Sequence, residues 1–409
     1  MRPDEESFPV KNVSQSLPMV LRRSTVAEFL SAPLPDDTRR RDAIGLFLFA
    51  LALRAWVWAG SGTRVVRDAT RYVTWCHDLS VGTLLGTRAL VYSGYWLPYC
   101  GWLRVTGDYV HGWVGLQVAF SALSCVLVYA TAHRLAGRPA GLAAGGALAV
   151  QYEVFRWAVR PQSEGMLTVA LALALWRLAH YHTTPTTRNR LLALASLGFV
   201  ALVRPNGLPI AGAYLLYDLL PASSDQRPNL GVPATVNVAV IVGLLAAIAY
   251  RLQFGWAKGS MLYHWREGIV VTSERVVYAY DPAVAEGVVG FFVANAEHVV
   301  AIALMRAGWF FVPVMPGWST SHALKSALTL TPLMVFAGLG ICAAVRRREW
   351  DLLALWATPL VAVVATAMGI WVAGWRNFLG PAAVVYALFA GYFVSLTDWP
   401  HRVRSVVPR

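Results

Sequence analysis

The sequence predicts an all-α polytopic membrane protein of about ten transmembrane helices, with interfacial helices on the external side. Three observations predict it. Of 409 residues, 57% are hydrophobic and 14% charged, whereas soluble domains run near a quarter charged. Apolar stretches of the roughly 20 residues that cross a bilayer as helix recur along the chain. The 17 Trp and 16 Tyr suit aromatic belts at the two interfaces.

The elements follow in order. Residues 1–41 are polar and end in Arg39-Arg40-Arg41. That positive flank keeps the N-terminus in the cytoplasm, and no secretory signal peptide opens the chain. A membrane domain is expected over residues 42–396 and a basic cytoplasmic tail over 397–409. The first span, 43–59, leads outward to an external region, 61–111, rich in Tyr and Trp. Spans at 113–132 and 141–158 turn on the basic loop His133 to Arg138. The fourth, fifth and sixth follow at 165–180, 191–203 and 207–220, and a polar inner loop at 221–232 leads to a seventh at 234–252. In the long external region 255–325, the apolar stretch 288–311 is interrupted by Asn295, Glu297, His298 and Arg306, and reads as interfacial or half-inserted. The eighth span, 328–345, ends on the anchor Arg346-Arg347-Arg348; the ninth and tenth are 352–371 and 378–396.

A net charge of +13 is met by basic inner loops and anionic headgroups, not by nucleic acid, because no basic stripe with interleaved aromatics forms a soluble module. The inner loops are short and hold no Gly-rich phosphate loop, which argues against use of ATP or a soluble nucleotide sugar. Cys125 and Cys342 fall inside apolar segments and read as core residues. Cys76 and Cys100 share the first external region, where a bridge forms if that side is oxidising.

Polar groups at the outer ends of the spans carry the chemistry. Asp68, just past the first span, is costly to dehydrate and asks for a role, as a general base, as a helix N-cap, or as a partner of Arg64, Arg67 or Arg71. Tyr72 stands four residues on and shares its face in a helix. Glu164, after Ser163, opens the fourth span as a helix-start acid, and Glu153 pairs naturally with Arg156. Asp68 and Glu164 also leave open a divalent cation, Mg²⁺ or Mn²⁺. Arg204 stands at a helix break, Val203-Arg204-Pro205-Asn206-Gly207, and Arg376 at another, Trp375-Arg376-Asn377-Phe378. A rigid, always-charged guanidinium fork at a broken span end suits an oxyanion, and the alternative for each arginine is to snorkel to lipid headgroups.

In this order these residues resemble the GT-C superfamily of polyprenyl-phosphate-dependent glycosyltransferases, in the branch of protein mannosyltransferases and aminoarabinose transferases. Asp68 to Tyr72 resembles the family's first-loop Asp-x-x-x-Tyr element. Tyr95 to Tyr99 resembles its aromatic-Pro stretch before the second span, and Arg134 to Gly137 the end of that span. Ser163-Glu164, Arg204-Pro205-Asn206-Gly207 and Arg376 to Pro381 resemble later elements. Two departures stand out: Ala69 follows Asp68 where relatives carry a second acid, and Asn377 stands where an aromatic is common.

The resemblance implies a fold of the GT-C type in the plasma membrane of a cell envelope, with its site on the external face. A hexose, mannose first, would pass from a polyprenyl-phosphate donor to an acceptor hydroxyl on a protein, a glycolipid or a secreted small molecule. Asp68 would be the catalytic base, with Tyr72, Glu153, Glu164, Arg204, Asn206, Arg376 and Asn377 lining the substrate and phosphate site. The competing class is a transporter or flippase of a lipid-linked or anionic substrate. That would show paired broken helices in two related halves, and no such duplication is visible.

Overall fold

The computed structural model of the chain describes residues 36–65, 67–85, 87–107, 109–217, 235–236, 238–239, 242, 261–271, 276–369 and 379–397. Arg376, Asn377, both chain ends and nearly all of the expected seventh span lie outside them; of Asp68 the backbone alone is described. The chain divides into two units, Met1–Arg41 and Asp42–Arg409.

Helix α1 (Asp36–Ser61) leads into a run of shorter helices, α2 (Arg67–His77), α3 (Val81–Leu85), α4 (Thr87–Leu90) and α5 (Ser93–Thr106). A disulfide between Cys76 and Cys100 ties α2 to α5. Helix α6 (Val110–Val150) is a hairpin: Gly137, at φ 86°, breaks the helical backbone, a conformation glycine adopts without steric cost. Past the turn, Gly141 and Gly145 lie against Tyr129 and Cys125, so close that a Cβ on Gly145 would stand 2.9 Å from the Cys125 carbonyl. Small residues permit this approach of apolar helices.

The third span was expected to run on to residue 158, but the helix stops at Val150. Gln151 takes extended backbone and its side chain caps the Glu153 amide, starting a separate short helix, α7 (Tyr152–Ala158). Helices α8 (Ser163–Thr183), α9 (Thr187–Val203) and α10 (Gly207–Tyr217) follow. After α11 (Met261–Arg266) a two-stranded antiparallel sheet pairs β1 (Ile269–Val271) with β2 (Val276–Val277), an element the helical pattern did not foretell.

Helices α12 (Gly287–Ala294) and α13 (Ala296–Phe310) meet at Asn295 with an 82° bend, where the polar interruption was expected. Arg306 of α13 is fully buried; its guanidinium donates to the carbonyls of Ile269, His264 and Met368. The last helices are α14 (Thr320–Arg346), α15 (Trp350–Gly369) and α16 (Leu379–Leu396).

Four helices among the described residues, α1, α6, α14 and α15, are long and apolar enough to cross a bilayer, or five spans with the bent pair α12–α13. About ten are not reached among these residues. Helix α8 carries Arg177, His180 and His182, and α10 and α16 are shorter apolar helices. The architecture is that of an all-α membrane protein. Ile44, Leu48, Phe49 and Trp56 of α1 and Leu328, Val335, Phe336 and Leu339 of α14 leave apolar faces uncovered, as lipid-facing helices do. Cys125 is buried, but Cys342 lies on the exposed side of α14, outside the core where it was expected.

Helix α16 forms the centre. Ala382 to Tyr392 is buried almost without break, between α6, α8, α14 and α15. Gly340 of α14 faces the Phe389 carbonyl and Gly391 the Ala140 carbonyl. At its start, Gly380 lies against Thr168, one turn past Glu164. The centre of the fold thus opens directly onto the polar groups of α8.

Candidate functional site

Four side chains from three parts of the sequence meet at the start of α8. Arg204 Nη1 lies 2.8 Å from Glu164 Oε2 and donates to Ser163 Oγ at 3.0 Å. The Tyr72 hydroxyl lies 3.0 Å from the same Oγ. All four residues are buried.

Local sequence explains each placement. Arg204 precedes Pro205, which disfavours the helical region for it, and it caps α9 in extended backbone. Gly207 then closes the turn, its amide donating to the Arg204 carbonyl at 2.8 Å. A Cβ on Gly207 would collide with the Val200 carbonyl at 1.9 Å, so only glycine fits there. Asn206 occupies this turn, half-buried. Glu164, in the first turn of α8, complements the helix dipole. Tyr72 arrives on α2, which the disulfide holds beside α5.

Charge and burial work together here. Burial disfavours the Arg204 charge, but Glu164, together with the Tyr92 and Tyr72 hydroxyls, outweighs it and raises the guanidinium pKa. Burial, with Glu164 adding to it, pushes the Tyr72 hydroxyl up to about 12. Arg71 lies 5.3, 5.2 and 4.9 Å from the ring centroids of Tyr72, Trp75 and Tyr92. Cation–π attraction of this kind holds a guanidinium without an acid. Asp68 stands one helical turn before Tyr72 on α2.

Glu153 joins a different cluster. Its carboxylate accepts from Ser326 Oγ at 2.6 Å and pairs with Arg156 at 3.2 Å and with His322. His322 stacks on Trp318 at 3.9 Å between centroids. Burial alone would raise the Glu153 pKa, but the His322 hydrogen bond, the Arg156 charge and Ser326 outweigh it and lower it. The cluster ties α7 to the start of α14.

The structure therefore brings together Tyr72, Glu164 and Arg204, with Asn206 in the adjoining turn, and sets Glu153 apart. Sequence reading missed Ser163 as the shared acceptor, Tyr92 and Arg71 as the aromatic–cation wall, and His322 and Ser326 as partners of Glu153. Ser163 had a signal, its place beside Glu164. His322 and Ser326 had none, being far away in the chain. Glu164, one of the two candidate cation ligands, lies against the Arg204 guanidinium; the side chain of the other, Asp68, lies outside the described residues. Among the described residues no three His, Cys, Asp or Glu side chains gather to hold a metal.

Residues 100–251 match the family described as dolichyl-phosphate-mannose-protein mannosyltransferase. The resemblance read from the motifs is thus found over this stretch, which holds Glu153, Glu164 and Arg204 and leaves out Asp68, Tyr72 and Arg376. It supports a membrane glycosyltransferase of the GT-C type. No curated protein matches the chain.

Proposed function

We propose that this protein transfers a hexose, mannose by the description of the matched family, from a polyprenyl-phosphate donor to an acceptor hydroxyl at the external membrane face. The observation that carries the reading is the meeting of Tyr72, Glu164 and Arg204 within one hydrogen-bonded group, one helical turn from Asp68.

In this reading Asp68 takes the acceptor's hydroxyl proton. The oxygen attacks the anomeric carbon from the face opposite the phosphate, and the bond from that carbon to the phosphate oxygen breaks. The configuration inverts, and the bonding pair leaves with the polyprenyl phosphate. Arg204, held in place by Glu164 and Ser163, and Arg376 stabilise the charge growing on the departing phosphate. Preorganised donors of this kind contribute about 3–4 kcal/mol each. In this reading Tyr72, Asn206 and Asn377 bind the donor, while Glu153, set apart from them, holds α7 to the start of α14.

The test is transfer from radiolabelled polyprenyl-phosphate mannose to extracted acceptor pools in membranes containing the protein. Asp68→Asn leaves the chain folded and lowers transfer by about 10²–10⁴-fold, the usual contribution of a general base. Near-normal turnover by that variant, or transfer from a soluble nucleotide sugar without lipid carrier, overturns the proposal.

A further inference from the structure

Two buried arginines show how this fold satisfies a structural guanidinium. Arg54, fully buried in α1, donates to Ser121 Oγ, to the carbonyls of Ala50 and Ala149, and to Cys125 Sγ. Arg306 donates to the three carbonyls named above and lies 4.2 Å from the Trp265 ring centroid. Each has its guanidinium caged by hydrogen-bond acceptors, as buried polar groups ordinarily do.

Arg160 is different. It lies half-buried in the turn between α7 and α8, its guanidinium 4.5 Å from the Trp157 ring centroid. Its Nε is shut off from solvent and has no hydrogen-bond partner. Among the described residues it forms no ion pair. The nearby acids are committed, Glu153 to Arg156 and His322 and Glu164 to Arg204. Burial pulls the Arg160 guanidinium down to about 10, and the like charges of Arg156 and Arg64 pull the same way.

Gln162 makes a second, independent observation. It is 0% exposed, yet neither its amide oxygen nor its amide nitrogen has a partner. A buried polar group left unsatisfied costs about 1–3 kcal/mol. The turn that presents both residues is held by hydrogen bonds. The Gln162 amide donates to the Arg160 carbonyl at 2.7 Å, and Gln117 Nε2 donates to the same carbonyl at 2.6 Å. Gln117 in turn accepts from the Tyr95 hydroxyl at 2.8 Å. The N-terminus of α8, a 21-residue helix, begins directly after Gln162 and adds positive potential.

We infer that the Arg160–Gln162 turn is a binding subsite for a phosphate-class oxyanion that carries or adjoins a hydroxyl, with Arg160 supplying the charge and Gln162 the hydroxyl partner. Arg64 and Arg156 supply long-range attraction. The inference rests on the transferase reading only for which substrate brings the anion; a lipid headgroup offers the same chemistry. Because the test reads binding, its failure is separate from failure of transfer.

The purified full chain in uncharged detergent is titrated with inorganic phosphate while its melting is followed. In a second arm it is placed in nanodiscs of phosphatidylglycerol or of phosphatidylcholine. Phosphate raises the wild-type melting temperature, and Arg160→Gln needs about tenfold more phosphate for the same shift, the worth of one charged hydrogen bond. Stabilisation by phosphatidylglycerol alone, lost in Arg160→Gln, also supports the subsite and assigns the anion to a headgroup. Gln162→Glu places a carboxylate beside Arg160 and abolishes the phosphate response while the protein stays folded. An unchanged response in Gln162→Glu, or equal responses of wild type and Arg160→Gln in both arms, overturns the inference.

Discussion

Glu153 and Glu164 are two buried carboxylates on neighbouring helices, and the fold uses them in opposite ways. Glu153 is saturated. A hydroxyl, an imidazole and a guanidinium converge on its two oxygens, and two of those partners come from the start of α14. Glu164 lies against the Arg204 guanidinium, and that guanidinium reaches onward through Ser163 to Tyr72 on the Asp68 helix. The first acid closes a joint between helices. The second sets the charge and aim of a group inside the candidate site. A buried carboxylate is thus a functional signal through what its partner touches next, not through its burial.

The strongest way to break this comparison is to remove one charge of the Glu164 pair. Glu164→Gln leaves the Arg204 guanidinium buried without its counter-charge, which typically costs about 3–5 kcal/mol. The loss is read as a lowered melting temperature of the purified protein. The double variant Glu164→Leu with Arg204→Met removes both charges and recovers most of that stability, while transfer stays lost. If the double variant regains transfer, the pair is a structural joint like Glu153 and the distinction fails.

How much of this was legible in the sequence follows from the same two residues. The Arg156 partner of Glu153 was readable, because residues three apart on a helix face each other. The break at Arg204-Pro205-Asn206-Gly207 was readable too, since Pro and Gly end helices for local steric reasons. So was the turn near Gly137, which the basic loop marked. Partner choice across the fold was not readable. Which guanidinium Glu164 takes depends on how α9 returns beside α8. His322 and Ser326 reach Glu153 only because α14 packs on α7. The end of the third span was misjudged for a physical reason as well. Apolar residues recur at Val154, Phe155, Trp157 and Ala158, but the Gln151 side chain caps a new helix ahead of them.

Glu153→Gln sharpens the contrast with a smaller effect. The amide still accepts from Ser326 but loses the charged bonds to Arg156 and His322, at a cost of about 2 kcal/mol. Its pH dependence has a definite sign. The folded carboxyl is held below its ordinary value of 4.5, so its contribution is present above that value and lost as pH falls through the lower folded value. The melting difference between wild type and Glu153→Gln therefore shrinks in acid, as the pH falls below about 4.5 and through the lower folded value. Transfer at neutral pH falls far less than in Glu164→Gln. A drop in transfer as large as that of the Glu164 variant would erase the division between joint and site.

The smallest stability effect falls where the site reading expects a clear functional one. Tyr72→Phe keeps the buried ring, its packing at 5.0 Å against Tyr95 and its place beneath Arg71, and deletes one hydroxyl. Ser163 keeps its bond from Arg204, so the loss is one neutral hydrogen bond, about 1 kcal/mol. The hydroxyl is held neutral up to about 12, so the difference from wild type does not vary between about pH 6 and about 10. If Tyr72 only packs α2 against α8, transfer follows the small stability change. If it orients the Ser163–Arg204 pair toward the donor, turnover falls several-fold while melting barely moves. That separation of the two readouts marks a positioning residue.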